Sequence, residues 1–287
     1  MCQLKSGIIL KNKVFVPEYD SHTEMLEELG IKDDCLNASK TFVRVELLPA
    51  DNDMSSDIDT WELNVDQDII PEWYDEDTYK PQVVEAVKAW AKDHVHIGVD
   101  NLKISTGRNH YIKNCKDVEI YGNATVKHIC GSATVENICD SATVENICGS
   151  ATVENICGSA TVENICGSAT VENICDSATV KYIYGNATVE NIYDNATVES
   201  IYGNATVESI CDSATVENIY DSATVKYICG SATIKNAKGL SVIVGSRYGW
   251  NKKDTLVLTE NATFKDCQSK TIYQSGDWKL VSVTEEK

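Results

Sequence analysis

The clearest pattern of apolar and polar positions is a nine-residue unit, repeated thirteen times without a gap from Gly122 to Lys238. Most copies read Gly/Asp, Ser/Asn, Ala, Thr, Val, Glu/Lys, Asn, Ile, Cys/Tyr. A fixed short period is typical of a solenoid, in which each unit buries its apolar face only against its neighbours. A helix would turn about two and a half times per unit and would scatter the apolar residues around its surface. The pattern therefore predicts a mainly β protein built on a parallel β-solenoid.

Within each unit, β-branched residues alternate with polar ones and turn residues lie at the ends. Such alternation indicates a short strand with Ala, Val and Ile facing inward and Thr, Glu and Cys/Tyr facing outward. The Val-to-Ile spacing of three breaks the alternation once, near the Asn. We interpret that Asn as a corner or bulge, because Asn tolerates left-handed backbone.

Either two or three units could form one coil of the solenoid. Asp in the first position falls mostly on odd copies, with Asp221 the exception, and this favours two units and an 18-residue coil. Three units would form a 27-residue coil, with an outward ladder of alternating sign through Lys127, Glu154, Lys181, Glu208 and Lys235. We expect two.

The sequence divides into four regions. Residues 1–100 have ordinary complexity and predict a small N-terminal α/β domain (α+β, with a mostly antiparallel sheet). Residues 101–121 predict irregular first coils, 122–238 the repeat solenoid, and 239–287 a C-terminal β cap. Solenoids need atypical end units to cover the open core.

The elements expected in the first region follow from local signals. Two strands lie within Gly7–Val16, and others are expected at Phe42–Leu48 and Trp61–Val65. Ser21 and Glu24 form a capping box that opens a helix, and a second amphipathic helix is predicted from Pro81 to Lys92. In the last region, a segment beginning Asn-Ala-Thr at Asn261 echoes the repeat.

The net charge is −19 over 287 residues, and the array contributes −9 of it. Acidic chains do not bind DNA or acidic membranes nonspecifically, because those surfaces require basic patches. The charge is compatible with a protein partner that has a basic surface. We therefore predict no direct nucleic-acid or membrane contact, and we leave the oligomeric state open.

Twelve cysteines would suggest disulfides in a secreted protein, but no secretory leader or transmembrane run is recognisable. We therefore expect a cytoplasmic protein with reduced thiols. Six cysteines occupy the last position of consecutive copies: Cys130, Cys139, Cys148, Cys157, Cys166 and Cys175. In an 18-residue coil they form two outward rows with a Cα spacing of about 4.8 Å, within disulfide range. A soft metal could bind there, but the column interchanges with Tyr. We predict a structural column, with no metal and no cofactor.

The outward Thr and Glu columns are the candidate interaction face. Calcium-binding nonapeptide rolls require Gly- and Asp-rich turns that are absent here, and ice-binding solenoids pair Thr with Thr and not with Glu. The residues that we select are Thr134, Glu136, Thr152, Glu154, Thr170, Glu172, Thr188 and Glu190.

One residue is a weak catalytic candidate. Removal of Met1 would expose Cys2 as an N-terminal thiol whose own α-amine could act as base. His22, or the pair His94 and His96 on one strand face, could assist it or hold a metal. No oxyanion or triad pattern accompanies these residues.

Three stretches carry a resemblance. Residues 1–17, the segments Val65–Asp68 and Pro71–Trp73, and the array resemble uncharacterised bacterial and phage nonapeptide-repeat proteins. The resemblance implies a parallel β-solenoid behind a small α/β domain, and it implies no activity or site residues.

The function predicted from these observations is a non-enzymatic repeat scaffold or protein-interaction module. Two alternatives stay open. The acidic solenoid could mimic DNA and occupy a basic groove of a nucleic-acid-binding protein, or Cys2 could serve an N-terminal-nucleophile enzyme in which the repeats act as a spacer.

Overall fold

The computed structural model describes residues 3–250 and 256–275. The chain forms two compact units. One comprises residues 1–97 and 108–111, and the other comprises residues 98–107 and 112–287. Cys2, the predicted catalytic candidate, and residues 276–287 of the predicted cap lie outside the described residues.

The N-terminal unit is a four-stranded antiparallel sheet with helices, as the sequence predicted. The strand order is β2-β1-β3-β4, and each neighbouring pair is antiparallel. Two 3-10 turns follow β3, at Ala50–Asn52 and Ile58–Thr60. The strands of this sheet are β1 (Lys5–Leu10), β2 (Lys13–Phe15), β3 (Phe42–Leu48) and β4 (Glu62–Val65), and β5 (Val95–Ile97) belongs to another sheet. The helices are α1 (His22–Glu28), α2 (Cys35–Ala38) and α3 (Glu76–His94).

Helix α1 begins at the residue that the sequence indicated. Ser21 accepts a hydrogen bond from the Glu24 amide at 3.3 Å and so satisfies one of the amides that a helix start leaves unpaired. Met25 and Leu26 on its inner face pack with Ile8 and Phe42. The capping box and the apolar stripe thus place this helix against the sheet.

Helix α3 is longer than predicted. Asp75 accepts from the Thr78 amide at 3.0 Å and starts the helix five residues before Pro81. The helix continues through His94, so the expectation that His94 and His96 share one strand face is wrong. The polar–apolar alternation of residues 94–96 is too short to distinguish a strand from the end of a helix.

The second unit is the parallel β-solenoid. Its strands alternate between two sheets, which we call the even-strand sheet (β6, β8 and onward to β24) and the odd-strand sheet (β7, β9 and onward to β23). The strands are β6 (Lys103–Ile104), β7 (His110–Lys113), β8 (Val118–Ile120), β9 (Thr125–Cys130), β10 (Thr134–Ile138), β11 (Thr143–Ile147), β12 (Thr152–Ile156), β13 (Thr161–Ile165), β14 (Thr170–Ile174), β15 (Thr179–Ile183), β16 (Thr188–Ile192), β17 (Thr197–Ile201), β18 (Thr206–Ile210), β19 (Thr215–Ile219), β20 (Thr224–Gly230), β21 (Thr233–Ala237), β22 (Val242–Trp250), β23 (Val257–Leu258), β24 (Thr263–Asp266) and β25 (Thr271–Gln274).

Two repeats form one coil. Thr134 pairs with Thr152 in a parallel register, and Thr143 pairs with Thr161, so equivalent residues lie 18 positions apart. The same offset recurs along both sheets through the array. The prediction of two repeats per coil is confirmed, and the alternating-sign ladder expected for a 27-residue coil does not form.

The core of the solenoid consists of the repeat positions that the sequence predicted to face inward. The Ala, Val and Ile positions of the array are fully buried, with Val135 at 2% exposure the largest value. They form one continuous apolar cluster. Truncating one buried Ile to Ala in such a core costs about 2–5 kcal/mol, because the flanking coils cannot collapse into the space.

The turns lie at the first position of each repeat and not at the Asn. Gly149, Gly167, Asp140 and Asp176 are examples of this position, and all have positive φ between 56° and 69°. The Asn stays inside the strand, where Asn137 pairs with Asn155. Our interpretation of that Asn as a left-handed corner is therefore wrong. Gly and Asp fill the turn because the left-handed region strains most other residues.

The C-terminal segment continues the core beyond the array, first through Ile243 on β22 and then through β24. Ala262 and Phe264, on the predicted repeat echo, have exposures of 0% and 3% and join the solenoid cluster. β25 then pairs antiparallel with β24 and forms the last strand of its sheet. No helix within residues 3–250 and 256–275 combines the length and hydrophobicity that crossing a bilayer requires.

Candidate functional site

The eight selected Thr and Glu residues all lie on the even-strand sheet. They occupy four neighbouring strands, β10, β12, β14 and β16, and equivalent residues pair in register. The result is a continuous row of Thr beside a continuous row of Glu. We call this surface the acidic face; it comprises Thr134, Glu136, Thr152, Glu154, Thr170, Glu172, Thr188 and Glu190.

The four carboxylates of the acidic face lack a salt-bridging Lys or Arg in the part of the chain that the structure describes, although the charge of Lys103 acts on Glu136. Among the described residues, none of them forms an ion pair. The run is bounded at both ends by pairs on the same sheet, Lys103 with Glu119 at 2.9 Å and Lys226 with Glu208 at 2.5 Å. Like charges at a spacing of about 4.8 Å repel by roughly 1 kcal/mol per neighbouring pair in water. The acidic face is therefore a linear negative surface that a cationic partner would stabilise.

The odd-strand sheet has a different charge pattern. Lys181 lies 3.5 Å from Glu163, and Lys235 lies 2.5 Å from Glu217. Lysines thus interrupt the Glu column on this side and neutralise part of it. Because the apolar columns of the two sheets are the same, the two outer surfaces differ mainly in electrostatics.

A row of Asn side chains, which the sequence interpretation missed, supports the acidic face. Each Asn donates from Nδ2 to Oδ1 of the Asn one coil earlier: Asn155 to Asn137 at 3.2 Å, Asn173 to Asn155 at 3.1 Å and Asn191 to Asn173 at 3.2 Å. Such amide ladders stabilise stacked in-register strands. The Asn that recurs at this position in eight of the thirteen copies was the available signal, but its partner is visible only once the coil length is known.

The cysteines form two separate rows, one at each corner of the coil. Cys130, Cys148 and Cys166 precede turn glycines, and we call them the glycine-side row. Cys139 and Cys175 precede the turns at Asp140 and Asp176, and Cys157, between them in the stack, precedes Gly158; we call these three the aspartate-side row. Cys175 has an exposure of 8%, and the other five are half-buried.

One cysteine pair departs from the expectation of reduced thiols. Cys211 and Cys229, which continue the aspartate-side row, form a disulfide across one coil with a Cα–Cα distance of 4.8 Å. The expectation is therefore wrong for this pair. The other cysteines of the described residues are thiols.

The histidines proposed as helpers of Cys2 have partners inside the N-terminal unit. His22 Nδ1 lies 3.2 Å from Asp66 Oδ2, and its Nε2 lies 3.1 Å from the Val45 carbonyl oxygen. His94 and His96 both stack with His110. Burial is the main cause that lowers the pKa of His96 to about 4, with His110 and His94 adding to it. His94, His96 and His110 thus form a stacked cluster that does not include His22, and the catalytic role of Cys2 stays a prediction.

A cleft of about 560 Å³ in the N-terminal unit is lined by Asp33, Asp66, Asp68 and Arg44. Arg44 is paired with Asp33, and Asp66 with His22, so much of the polar lining is already engaged. Among the described residues, no three His, Cys, Asp or Glu side chains are arranged to hold a metal ion.

Comparisons with protein-family models, with curated proteins and with solved structures give no match to this chain. The resemblance to nonapeptide-repeat proteins stays a prediction, and the functional argument rests on the geometry alone.

Proposed function

We propose that the protein is a non-enzymatic scaffold whose acidic face binds a basic surface of a partner protein. The observation that carries this proposal is the unbroken run of four carboxylates on one sheet, without a cation among them. On the other sheet the same column is interrupted by lysines. The fold itself supports the scaffold role, since its coils are in register and its core is continuous.

The energetics of the acidic face favour a cationic partner. Neighbouring Glu side chains repel each other, and a Lys or Arg placed between them replaces repulsion with attraction. A rigid row loses little conformational entropy on binding, because its backbone is already fixed by the inter-coil hydrogen bonds. Charge complementarity of this kind mainly raises the association rate and selects the partner.

DNA mimicry is the second candidate, favoured by the regular spacing of the carboxylate row. The row presents one charge per about 4.8 Å, whereas duplex DNA presents one per about 1.7 Å of helix axis. The acidic face therefore imitates one strand of a duplex more closely than the whole duplex. A mimic would occupy a groove that double-stranded DNA also occupies.

The test compares two double variants with equal net charge. Glu154→Gln/Glu172→Gln removes the middle of the acidic face, and Glu145→Gln/Glu199→Gln removes two carboxylates from the odd-strand sheet. Each variant and the unaltered chain are used for affinity capture from a native lysate of the producing cells, and the retained proteins are identified and retested as purified pairs.

We expect one partner to be retained by the unaltered chain and by the odd-strand variant, and to bind the acidic-face variant at least tenfold more weakly. Equal retention by all three proteins would overturn the proposal. Displacement of the partner by added duplex DNA would favour mimicry, and failure of DNA to compete would rule mimicry out.

A further inference from the structure

The glycine-side row of cysteines has a fixed spacing set by the backbone. The amide of Cys148 donates to the Ile129 carbonyl, and the amide of Cys166 donates to the Ile147 carbonyl, both at 2.9 Å. These bonds belong to the inter-coil ladder, so neighbouring thiols of the row are held about 4.8 Å apart at their Cα atoms. That distance lies inside the range of about 4.4–6.8 Å that a disulfide requires.

The aspartate-side row shows that cysteines at this repeat position can pair between coils. Cys211 and Cys229 occupy the same repeat position one coil apart, and they are joined in a disulfide with a Cα–Cα distance of 4.8 Å. The flanking strands β18 and β20 keep the parallel register of the array at Thr206 and Thr224. Cysteines one coil apart can therefore be joined within the parallel register of the solenoid.

The three thiols of the glycine-side row are hydrogen-bonded in series. Cys148 lies between Cys130 and Cys166 and bonds to both. Cys166 also accepts a hydrogen bond from the Tyr184 hydroxyl in the next coil. The bond from Cys148, aided by that from Tyr184, lowers the pKa of Cys166 to about 6 in spite of burial. Hydrogen bonding to Cys130 and Cys166 raises the pKa of Cys148.

The aspartate-side row has the same spacing between coils, but the pKa values of its thiols are raised, in contrast to that of Cys166. Burial raises the pKa of Cys157 to about 11, and the neighbouring thiols and Asp176 add to the effect. Burial and Asp140 raise the pKa of Cys139. The glycine-side row faces turns at Gly149 and Gly167, which carry neither charge nor side chain. Among the thiols of the two rows, only Cys166 accepts hydrogen bonds from both a neighbouring thiol and a tyrosine hydroxyl.

We propose that the glycine-side row is a thiol–disulfide exchange site for small-molecule disulfides, in which Cys166 is the attacking thiol and Cys148 the resolving thiol. This proposal is independent of the acidic face, because the row lies at the end of odd-sheet strands.

The exchange proceeds in two balanced steps. The Cys166 thiolate attacks one sulfur of the disulfide RSSR, a Cys166–SR bond forms, the S–S bond breaks, and RS⁻ leaves. Cys148 then attacks the Cys166 sulfur, its proton passes to a departing thiolate, and the second R group leaves as thiol. Two protein thiols are oxidised to one Cys148–Cys166 disulfide, and RSSR is reduced to two RSH. Once Cys166 has reacted, its thiolate no longer accepts the hydrogen bond from Cys148, so one of the interactions that raise the pKa of Cys148 is lost.

The test uses glutathione disulfide and the full chain. All proteins carry Ser in place of Cys2, Cys35 and Cys267, so that other accessible thiols do not contribute. The variants are Cys166→Ser, Cys148→Ser and, as the matched control from the other row, Cys157→Ser. Thiols are counted after unfolding, intact mass reports bound glutathione, and circular dichroism confirms that each variant keeps its strand signal.

We expect the background protein and the Cys157→Ser control to lose two thiols each without gaining mass from glutathione. Cys166→Ser should lose none, and Cys148→Ser should stop at the mixed disulfide with one glutathionyl group attached. Equal thiol loss in Cys166→Ser and in the background protein would overturn the proposal. Thiol loss that disappears in the Cys157→Ser control would also overturn it, because the reacting cysteines would then belong to the aspartate-side row.

A second measurement does not depend on resolution by Cys148. At pH 6, iodoacetamide should alkylate Cys166 roughly tenfold faster than it alkylates free cysteine, because about half of this thiol is ionised while ordinary thiols are almost fully protonated. The groups that face the thiol are Cys148, Tyr184 and, one coil further, Tyr202. A rate equal to that of free cysteine at pH 6 would overturn the assignment of Cys166 as the attacking thiol.

Discussion

The first residue of each repeat carries the turn of the solenoid, and the choice between Gly and Asp there has a structural reason. Asp176 has a φ of 56°, and its carboxylate accepts the Gly158 amide of the preceding coil at 3.0 Å. Asp140 binds the Gly122 amide, and Asp221 the Gly203 amide, in the same way. Glycine supplies the backbone conformation alone, whereas Asp adds one bond between coils.

Substitutions of Asp176 should separate these two contributions. Asp176→Asn keeps an acceptor and tolerates positive φ, so we expect almost no change in stability. Asp176→Gly loses the bond and should cost about 1 kcal/mol. Asp176→Ala adds backbone strain of about 1–2 kcal/mol. Urea unfolding midpoints would measure the series, and an Ala variant as stable as the Gly variant would contradict it.

His128 is a second residue whose environment changes its chemistry. It occupies the Asn column, paired with Asn146, and burial together with Lys127 lowers its pKa to about 4. The neutral imidazole is thus favoured in the folded state. In the unfolded chain the same side chain takes up a proton below about pH 6.5.

The stability of the solenoid should therefore fall as the pH drops from 6.5 to 4, because the unfolded state binds the proton first. His128→Asn restores the residue of its column and should remove about 2 kcal/mol of this loss. Urea unfolding at several pH values would measure the difference between the two proteins. If the free energy of unfolding changed equally with pH in both proteins between pH 6.5 and 4, His128 would not contribute to the pH dependence of stability.

The 18-residue coil is the structural element of the array. Its inward columns are interchangeable between coils, and its outward contacts, such as the Asn rows, join residues one coil apart. Repeat proteins of this kind are stabilised by nearest-neighbour interfaces, so removal of a whole unit leaves every interface type in place.

Deletion of residues 149–166, one complete coil, should give a folded and soluble protein with a modestly lower melting temperature. Deletion of residues 149–161, which is out of phase with the repeat, should place apolar residues in turns and prevent folding. Circular dichroism and thermal melting would compare the two. An insoluble product from the in-phase deletion would contradict the solenoid of interchangeable coils.

For the whole molecule, the net charge of −19 is distributed unevenly over the surface. The acidic face concentrates repulsion on the even-strand sheet, and the lysines of the odd-strand sheet relieve it there. Because exposed charges are screened by salt, the folded state should gain stability as the ionic strength rises.

Glu172→Lys should stabilise the protein by about 1 kcal/mol at low salt, because it places a cation between Glu154 and Glu190. Lys181→Glu on the other sheet is the matched reversal and should destabilise, since it removes the pair with Glu163. Both effects should become small in about 0.5 M salt. Melting temperatures would show this, and a salt-independent difference would contradict an electrostatic cause.

The sequence by itself determined the solenoid and its inward columns, and it favoured the coil length that the structure shows. Ala, Val and Ile recur with a fixed period, and a residue that must be buried in every copy can be recognised without knowing its neighbours. The odd-copy distribution of Asp indicated two repeats per coil because, in the structure, that residue bonds to its equivalent turn 18 positions earlier.

The tertiary structure decided what each outward residue contacts. The sequence interpretation placed the corner at the Asn, and the structure places it at Gly or Asp, because backbone bonds between coils keep the Asn inside the strand. Identical cysteines differ because Cys166 accepts hydrogen bonds from Cys148 and Tyr184, which lower its pKa, whereas burial and the neighbouring thiols raise the pKa of Cys157. The burial of a residue can be predicted from its type and from its position in the repeat. Its charge environment, its pairing and its reactivity depend on the residues one coil away, and only the tertiary structure defines which residues these are.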